Sequence, residues 1–198
     1  FDVSDLPATK TALQTLPSDV LNNLDVLVNN AGLALGLEPA DKTDFADWQQ
    51  MVNTNILGLI HLTHEILPLM VANNDGYIIN FSSTAGNYPY FGGNVYGATK
   101  AFVTQFSLNL RADLVGKNIR VSNIEPGLCG GTEFSNIRFH GDDAKAAQVY
   151  DSVQYVTPQD IANMVAWLIE QPKHVNINRI EVMPTAQTFA GLKVVKDL

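Results

Sequence analysis

An open, doubly wound α/β sheet of parallel strands is the fold class this chain predicts, and three features predict it. Apolar, β-rich runs recur at Leu24 to Asn29, Gly76 to Ser83 and Ile119 to Ile124, each too short for a helix. Helical patterns separate them, at Asp44 to Ala72 and Val95 to Gly116, and strand–helix alternation builds a parallel sheet covered on both faces. The runs also end alike, in small or polar residues: Asn29-Asn30-Ala31-Gly32, Ser82-Ser83 and Pro126-Gly127. Open sheets of this class take their ligands at the carboxyl ends of the strands, so these three ends point to one site.

Taken in order, Leu6 to Leu16 carries a helical pattern ahead of the first run. The Asp44 to Ala72 helix is expected to break near Asn53 to Asn55. Residues 128–155 are looser, with helical stretches at Thr132 to Arg138 and Asp142 to Tyr150, and their glycine-rich, mixed-polarity character suits a substrate lid. Thr157-Pro158-Gln159-Asp160 is a helix start, with threonine as N-cap, proline in the first turn and an acid near the positive helix end. That helix runs to about Glu170, and Arg179 to Met183 is the last strand.

The chain's 198 residues make a single domain, a size that buries roughly 70% of its extended-chain surface. A 46% apolar and 16% charged composition is that of a globular protein. The net charge of −8 argues against nucleic acid and anionic membranes as partners. Cys129 has no second cysteine to pair with and suits a reducing, cytoplasmic setting. It reads as a small packing residue rather than a reactive thiol. No signal peptide is visible, and no uncharged apolar run reaches the ~18 residues of a membrane span. His61, His64 and Glu65 do not form a zinc-binding spacing, so no metal is expected.

Chemistry concentrates at Tyr96 and Lys100 in "YGATK", which share one helix face a turn apart. Free tyrosine titrates near ~10, so a phenolate working at pH 7 must be stabilised by roughly 4 kcal/mol. A cation at ~4 Å supplies about that much at an effective dielectric of ~20, but only ~1 kcal/mol in water. The expectation is that Lys100 lowers the Tyr96 pKa inside a water-poor cleft. Ser83, thirteen positions earlier, ends its strand where it can hold a substrate oxygen beside the phenol.

With Asp2-Val3, Asn29-Asn30-Ala31-Gly32, Asn55 in "NTNILG", Ser83, Tyr96, Lys100 and Pro126-Gly127 in this order and spacing, the chain resembles the short-chain dehydrogenase/reductase family over nearly its whole length. The blocks "GGNVYGATKAFVTQFSLNLRADL", "IEPGL" and "GGTEFSNIRF" are similar to the NADP-dependent 3-hydroxy acid dehydrogenase branch, also described as serine or L-allo-threonine dehydrogenases. The resemblance implies a Rossmann-like sheet and a homo-tetramer. It implies an oxidoreductase using NADP, with NAD not excluded, on a small 3-hydroxy acid or its carbonyl form.

By the same resemblance, Tyr96 is the general acid/base and Lys100 holds the nicotinamide ribose. Asn55 corresponds to a helix-interrupting asparagine whose backbone holds a relay water. Asp2 and Val3 border the adenine, and Asn30, Ala31 and Gly32 the adenosine ribose. Pro126, Gly127, Leu128, Thr132 and Phe134 face the nicotinamide side. A carboxylate-bearing substrate wants an arginine fork, and Arg138 in "SNIRF" is the nearest candidate. The family's glycine-rich first βαβ unit, whose strand end selects NAD or NADP, has no counterpart here, so the expectation is a chain lacking that unit. The alternative is a remnant that keeps the site residues, cannot hold cofactor and serves only in subunit interaction.

Overall fold

The computed structural model describes residues 1–190. Its sheet has four strands, β1 (Val26–Asn29), β2 (Gly76–Phe81), β3 (Ile119–Pro126) and β4 (Arg179–Val182), in sequence order and all parallel. Ahead of β1 lie α1 (Leu6–Gln14) and α2 (Ser18–Asn22). The connection from β1 to β2 runs through α3 (Phe45–Val52) and α4 (Leu59–Asn73). From β2 to β3 it runs through α5 (Asn94–Asp113). From β3 to β4 it passes through α6 (Phe134–Arg138), α7 (Asp143–Gln148) and α8 (Pro158–Glu170).

Alternation along the strands divides the core in two. Ile78 and Val121 face α4 and α5, where they pack with Ile66, Met70, Leu110 and Leu114. Tyr77, Ile79 and Ile124 face the other way and pack with Leu168 of α8. Gly76 opens β2 directly under Met70, where a Cβ would lie only 2.7 Å from its sulfur. Between strands, Asn29 donates to Thr63 (3.0 Å) and Asn80 (2.8 Å), and Asn80 donates to Ser107 (2.9 Å). Asn29 is thereby a buried tie between β1, β2 and α4, and Asn80 is fully buried.

The helix expected to break near Asn53 to Asn55 does not break. It widens into a π-helical segment, Asn53–Gly58, and continues. The wide turn swings the Asn55 side chain inward, where Oδ1 accepts from the Leu33 amide (2.9 Å). Its Nδ2 donates to the Leu33 carbonyl (2.8 Å) and to Thr99 Oγ1 (3.0 Å). Such insertions gather at functional sites. Gly58 at its end lets Val3 approach, since a Cβ there would sit 2.9 Å from the valine methyl. By length and composition the continuous run Phe45–Asn73 could cross a bilayer, but Met51, Asn55, Ile66 and Met70 on it are buried within the protein.

Other helix ends follow their capping chemistry. α6 starts at Phe134 rather than Thr132 because the Thr132 hydroxyl accepts from the Phe134 amide (3.3 Å) and so lies outside the helix. α7 is shorter than Asp142 to Tyr150, starting after the Asp142 cap and ending at Gln148. α8 begins with a complete capping box: Thr157 Oγ1 accepts from the Asp160 amide (3.2 Å) and Asp160 accepts from the Thr157 amide (2.8 Å). Its other end is held by Arg120, which donates to the carbonyls of Leu168, Ile169 and Gln171, a cation at the negative pole of the helix. Thr157→Ala should cost about 1 kcal/mol of stability in chemical denaturation, and Thr157→Ser should restore most of it.

Candidate active site

α5 starts beside the carboxyl end of β2, and its first two turns bring Tyr96 and Lys100 into the interior, 8% and 6% exposed. The Lys100 ammonium donates to the carbonyl of Phe81, the last residue of β2 (3.0 Å), and lies 5.8 Å from the Tyr96 ring centre. Across from it is Gly32, three residues past the end of β1. A Cβ on Gly32 would sit 3.1 Å from the Lys100 nitrogen and 3.4 Å from Asn55 Oδ1. Glycine keeps that approach open.

Ser83 leaves β2 in extended conformation. Its hydroxyl donates to the Pro126 carbonyl (3.2 Å), accepts from the Ala85 amide (3.1 Å) and reaches the Tyr96 phenol as well. Phe134 of α6 packs edge-on against Tyr96 at 5.9 Å between ring centres. From the same helix Arg138 places its guanidinium carbon 5.1 Å from the Tyr96 ring centre.

Burial governs the protonation of this cluster. It pushes the Tyr96 phenol up to about 12, against the smaller opposing effects of the Arg138 charge and the Ser83 hydroxyl. It also brings the Lys100 ammonium down to about 8. Of the charges acting on the unliganded phenol the strongest is Arg138, and desolvation outweighs it; the Lys100 ammonium stands over the same ring at 5.8 Å. One of the three Lys100 donors goes to the Phe81 carbonyl, and the ammonium is itself desolvated.

These side chains form the wall of a cavity of about 890 Å³ along the carboxyl edge of the sheet, within the range of small-molecule sites. Asn30, Gly32, Ser83, Tyr96 and Lys100 line one side, and Pro126, Gly127, Leu128, Thr132, Phe134 and Arg138 the other. Asn55 stands behind Gly32 with its side chain fully engaged. Asp2, Val3 and Ala31 are outside this lining: the Asp2 carboxylate accepts from Ser4, Val3 packs on Gly58, and Ala31 is exposed. The cradle beside Gly32, which a Cβ would fill, and the uncovered strand ends fit an extended dinucleotide. Cys129 forms a bridge to Val156 and burial raises its thiol pKa, consistent with packing rather than reactivity.

A buried clamp that sequence reasoning missed holds this edge together. Glu125, fully buried immediately before Pro126, receives Arg179 Nε and Nη2, both at 2.7 Å, and Asn87 Nδ2 at 2.6 Å. Arg179 also donates to Asn87 Oδ1 (3.0 Å), tying the turn after Ser83 to β3 and β4. The one sequence signal was an acid inside the apolar run "VSNIEPG".

A family model for short chain dehydrogenases matches residues 1–142. The chain belongs to the short-chain dehydrogenase family. It is 68% identical over 197 residues to a protein of Haemophilus influenzae named as a probable NADP-dependent dehydrogenase, covering 100% of this chain and 78% of that protein. Against the NADP-dependent 3-hydroxy acid dehydrogenase YdfG of Escherichia coli (strain K12) it is 56% identical over 194 residues, covering 98% of this chain and 78% of the relative. The solved closed form of a serine dehydrogenase complexed with NADP+ superimposes with a TM-score of 0.97 at 55% identity, over 100% of this chain and 79% of that one. The Rossmann-like fold expected of this family member is thus the fold observed.

The depressed Lys100 pKa has a consequence for stability. Between about 8 and the ordinary lysine value of 10.5 the unfolded chain binds more protons at this position than the folded one, so stability due to Lys100 rises with pH across that window. Tyr96 acts oppositely from 10 upward, where the unfolded phenol ionises first. Thermal melting should show Lys100→Met gaining stability below pH 8 relative to the wild type and losing that advantage by pH 10. An advantage independent of pH would contradict a desolvated ammonium.

Proposed function

We propose that this protein transfers a hydride between NADP(H) and a small 3-hydroxy acid or its carbonyl form, in the class of serine, allo-threonine, 3-hydroxyisobutyrate and malonic semialdehyde. The observation that carries this reading is the meeting of Ser83, Tyr96 and Lys100 at one cavity wall beside Gly32. The names of the relatives point to the same cofactor and substrate class. Bound NADP(H) supplies or accepts the hydride; the chain's own side chains manage binding, orientation and the proton.

In reduction, a phenol with a pKa pushed up to about 12 is fully protonated at neutral pH and gives its proton to the carbonyl oxygen. Ser83, already oriented by its bonds to Pro126 and Ala85, holds that oxygen in line with the phenol. In oxidation the base is the phenolate: the phenol first releases its proton to the relay water, a loss that the Arg138 cation eases, and then takes the proton of the alcohol. Lys100, facing the open edge at Gly32, holds the nicotinamide ribose. With the Asn55 side chain committed to Leu33 and Thr99, its backbone in the widened turn is what remains for a relay water.

Asn30, Ala31 and Gly32 border the adenosine ribose, Asp2 and Val3 the adenine, and Pro126 to Phe134 the nicotinamide. Arg138 receives the substrate carboxylate, and residues 128–155 form the lid that carries it over the cavity. The working unit is a cytoplasmic homo-tetramer of single-domain subunits. An inactive remnant is the weaker reading, because nothing in a mere interaction piece requires this trio to converge on a cavity.

Tyr96→Phe should lower kcat with allo-threonine by about 10²–10⁴-fold, the usual worth of a positioned acid/base. NADPH binding, followed by fluorescence, should persist. Turnover within tenfold of the wild type would remove Tyr96 from the proton-transfer role.

A further inference from the structure

Arg138 does not hang freely in the cavity. Its guanidinium carbon lies 5.1 Å from the Tyr96 ring centre and 5.0 Å from that of Phe134, so two aromatic rings flank it. Its Nη2 donates to the Tyr90 phenol oxygen at 3.2 Å. Its backbone carbonyl accepts from the Gly36 amide (2.8 Å), fixing the end of α6 to the segment after β1. Among the described residues its Nε is buried without a hydrogen-bond partner. Arg138 also lines the cavity, and a guanidinium held on three sides with five N–H donors keeps some for an anion bound there.

The Tyr90 ring is as firmly seated as the cation it holds. It packs against the buried cluster of Ala34, Leu35, Met51 and Tyr96. Gly93 lies directly beneath it, where a Cβ would come within 2.7 Å of the ring. Gly92, at φ +79°, crosses the Leu37 carbonyl so closely that a Cβ would sit 2.3 Å from its oxygen. The turn leading into α5 is therefore shaped to tuck this ring under Arg138. Because the Tyr90 oxygen accepts from arginine, its own hydroxyl proton is available to an anion bound at the same place. Burial raises the Tyr90 pKa, so that proton is retained at neutral pH.

We infer that Tyr90 is a specificity-positioning residue: by holding the Arg138 guanidinium beside Tyr96, it fixes the distance between the substrate carboxylate and the carbon that reacts. A free arginine would accept any anion at a range of distances. One clamped about 5 Å from the catalytic ring accepts a carboxylate only a bond or two from the reacting carbon. Tyr90 thus selects short hydroxy acids over neutral alcohols and over acids with a longer spacer. Its role rests on the carboxylate reading of Arg138, and the two can be separated.

The test compares kcat/KM for a 3-hydroxy acid with that for its uncharged methyl ester in the wild type, Tyr90→Phe, Arg138→Lys and the double variant. Tyr90→Phe keeps the packed ring and removes only the oxygen. It should cut the acid-over-ester preference by about tenfold, the scale of one hydrogen bond to a charged group, and mainly through KM. Arg138→Lys should cut it at least as far, and the double variant little further, since both act on one fork. Inhibition constants for propionate, a carboxylate with nothing to oxidise, should rise in the same order. Loss of preference in Arg138→Lys with none in Tyr90→Phe would overturn the role of Tyr90 and leave Arg138 standing. No loss in either would remove the Arg138 reading as well. An equal fall in kcat for acid and ester, with their ratio unmoved, would also overturn it.

Discussion

Removing two ionisable groups, one helical turn apart, from water sets the terms for everything else at the sheet edge. A carboxyl end of a parallel sheet is normally where polar ligands meet solvent, yet Tyr96 and Lys100 are almost wholly covered there. Desolvation opposes charge in both, raising the phenol and lowering the amine. At rest the pair is therefore a protonated phenol with an ammonium close to losing its proton, rather than a phenolate stabilised by a cation. Such a phenol is a ready acid. To act as a base it needs positive charge nearby, and the groups placed to supply it are the half-buried Arg138 and the Lys100 ammonium.

The fold enforces that burial through non-local ties. The π-helical segment turns Asn55 into the gap behind Gly32, where it closes both the Leu33 amide and carbonyl and reaches Thr99 on α5. Asn29, Asn80 and Ser107 join two strands to two helices just below the site. On the other side Glu125 and Arg179 bind the turn after Ser83. A buried carboxylate is costly unless paired, and this one is paired twice over by a guanidinium. The Ser83 hydroxyl is consequently aimed before any substrate arrives, which is what preorganised catalysis requires.

Much of this was legible in the chain and some could not be. Strand positions followed from short apolar runs, and each lies within a residue or two of its expected bounds, as β2 and β3 do. Local chemistry also carried over: the Thr157 to Asp160 signal became a capping box, and Tyr96 and Lys100 do share a helix face at a strand edge. What failed was inference across space. One extra residue in a turn shifts the apolar stripe of the long helix without ending the helix, so its widening at Asn53–Gly58 read as a break. Lys100 stands over the Tyr96 ring as its spacing suggested, but Arg138, which joins it there from forty-two positions away, had no local signal. The Glu125–Arg179 pair spans 54 positions and Tyr90–Arg138 spans 48; neither has a local signature. The apolar C-terminal stretch "VNINRIEVMPTAQTFAGL", which the family resemblance would place between subunits, ends in two residues, 191 and 192, that lie outside the described residues.

A direct measurement of the Tyr96 phenol would test this account at its centre. Tyrosine ring resonances followed from pH 7 to 12.5, with Tyr96→Phe to assign the signal, give its titration in the unliganded protein. A midpoint near 12, above the ~10 of free tyrosine, is the predicted result. A midpoint at or below 10 would mean that a cation, not burial, governs the phenol, and the resting state described here would be wrong.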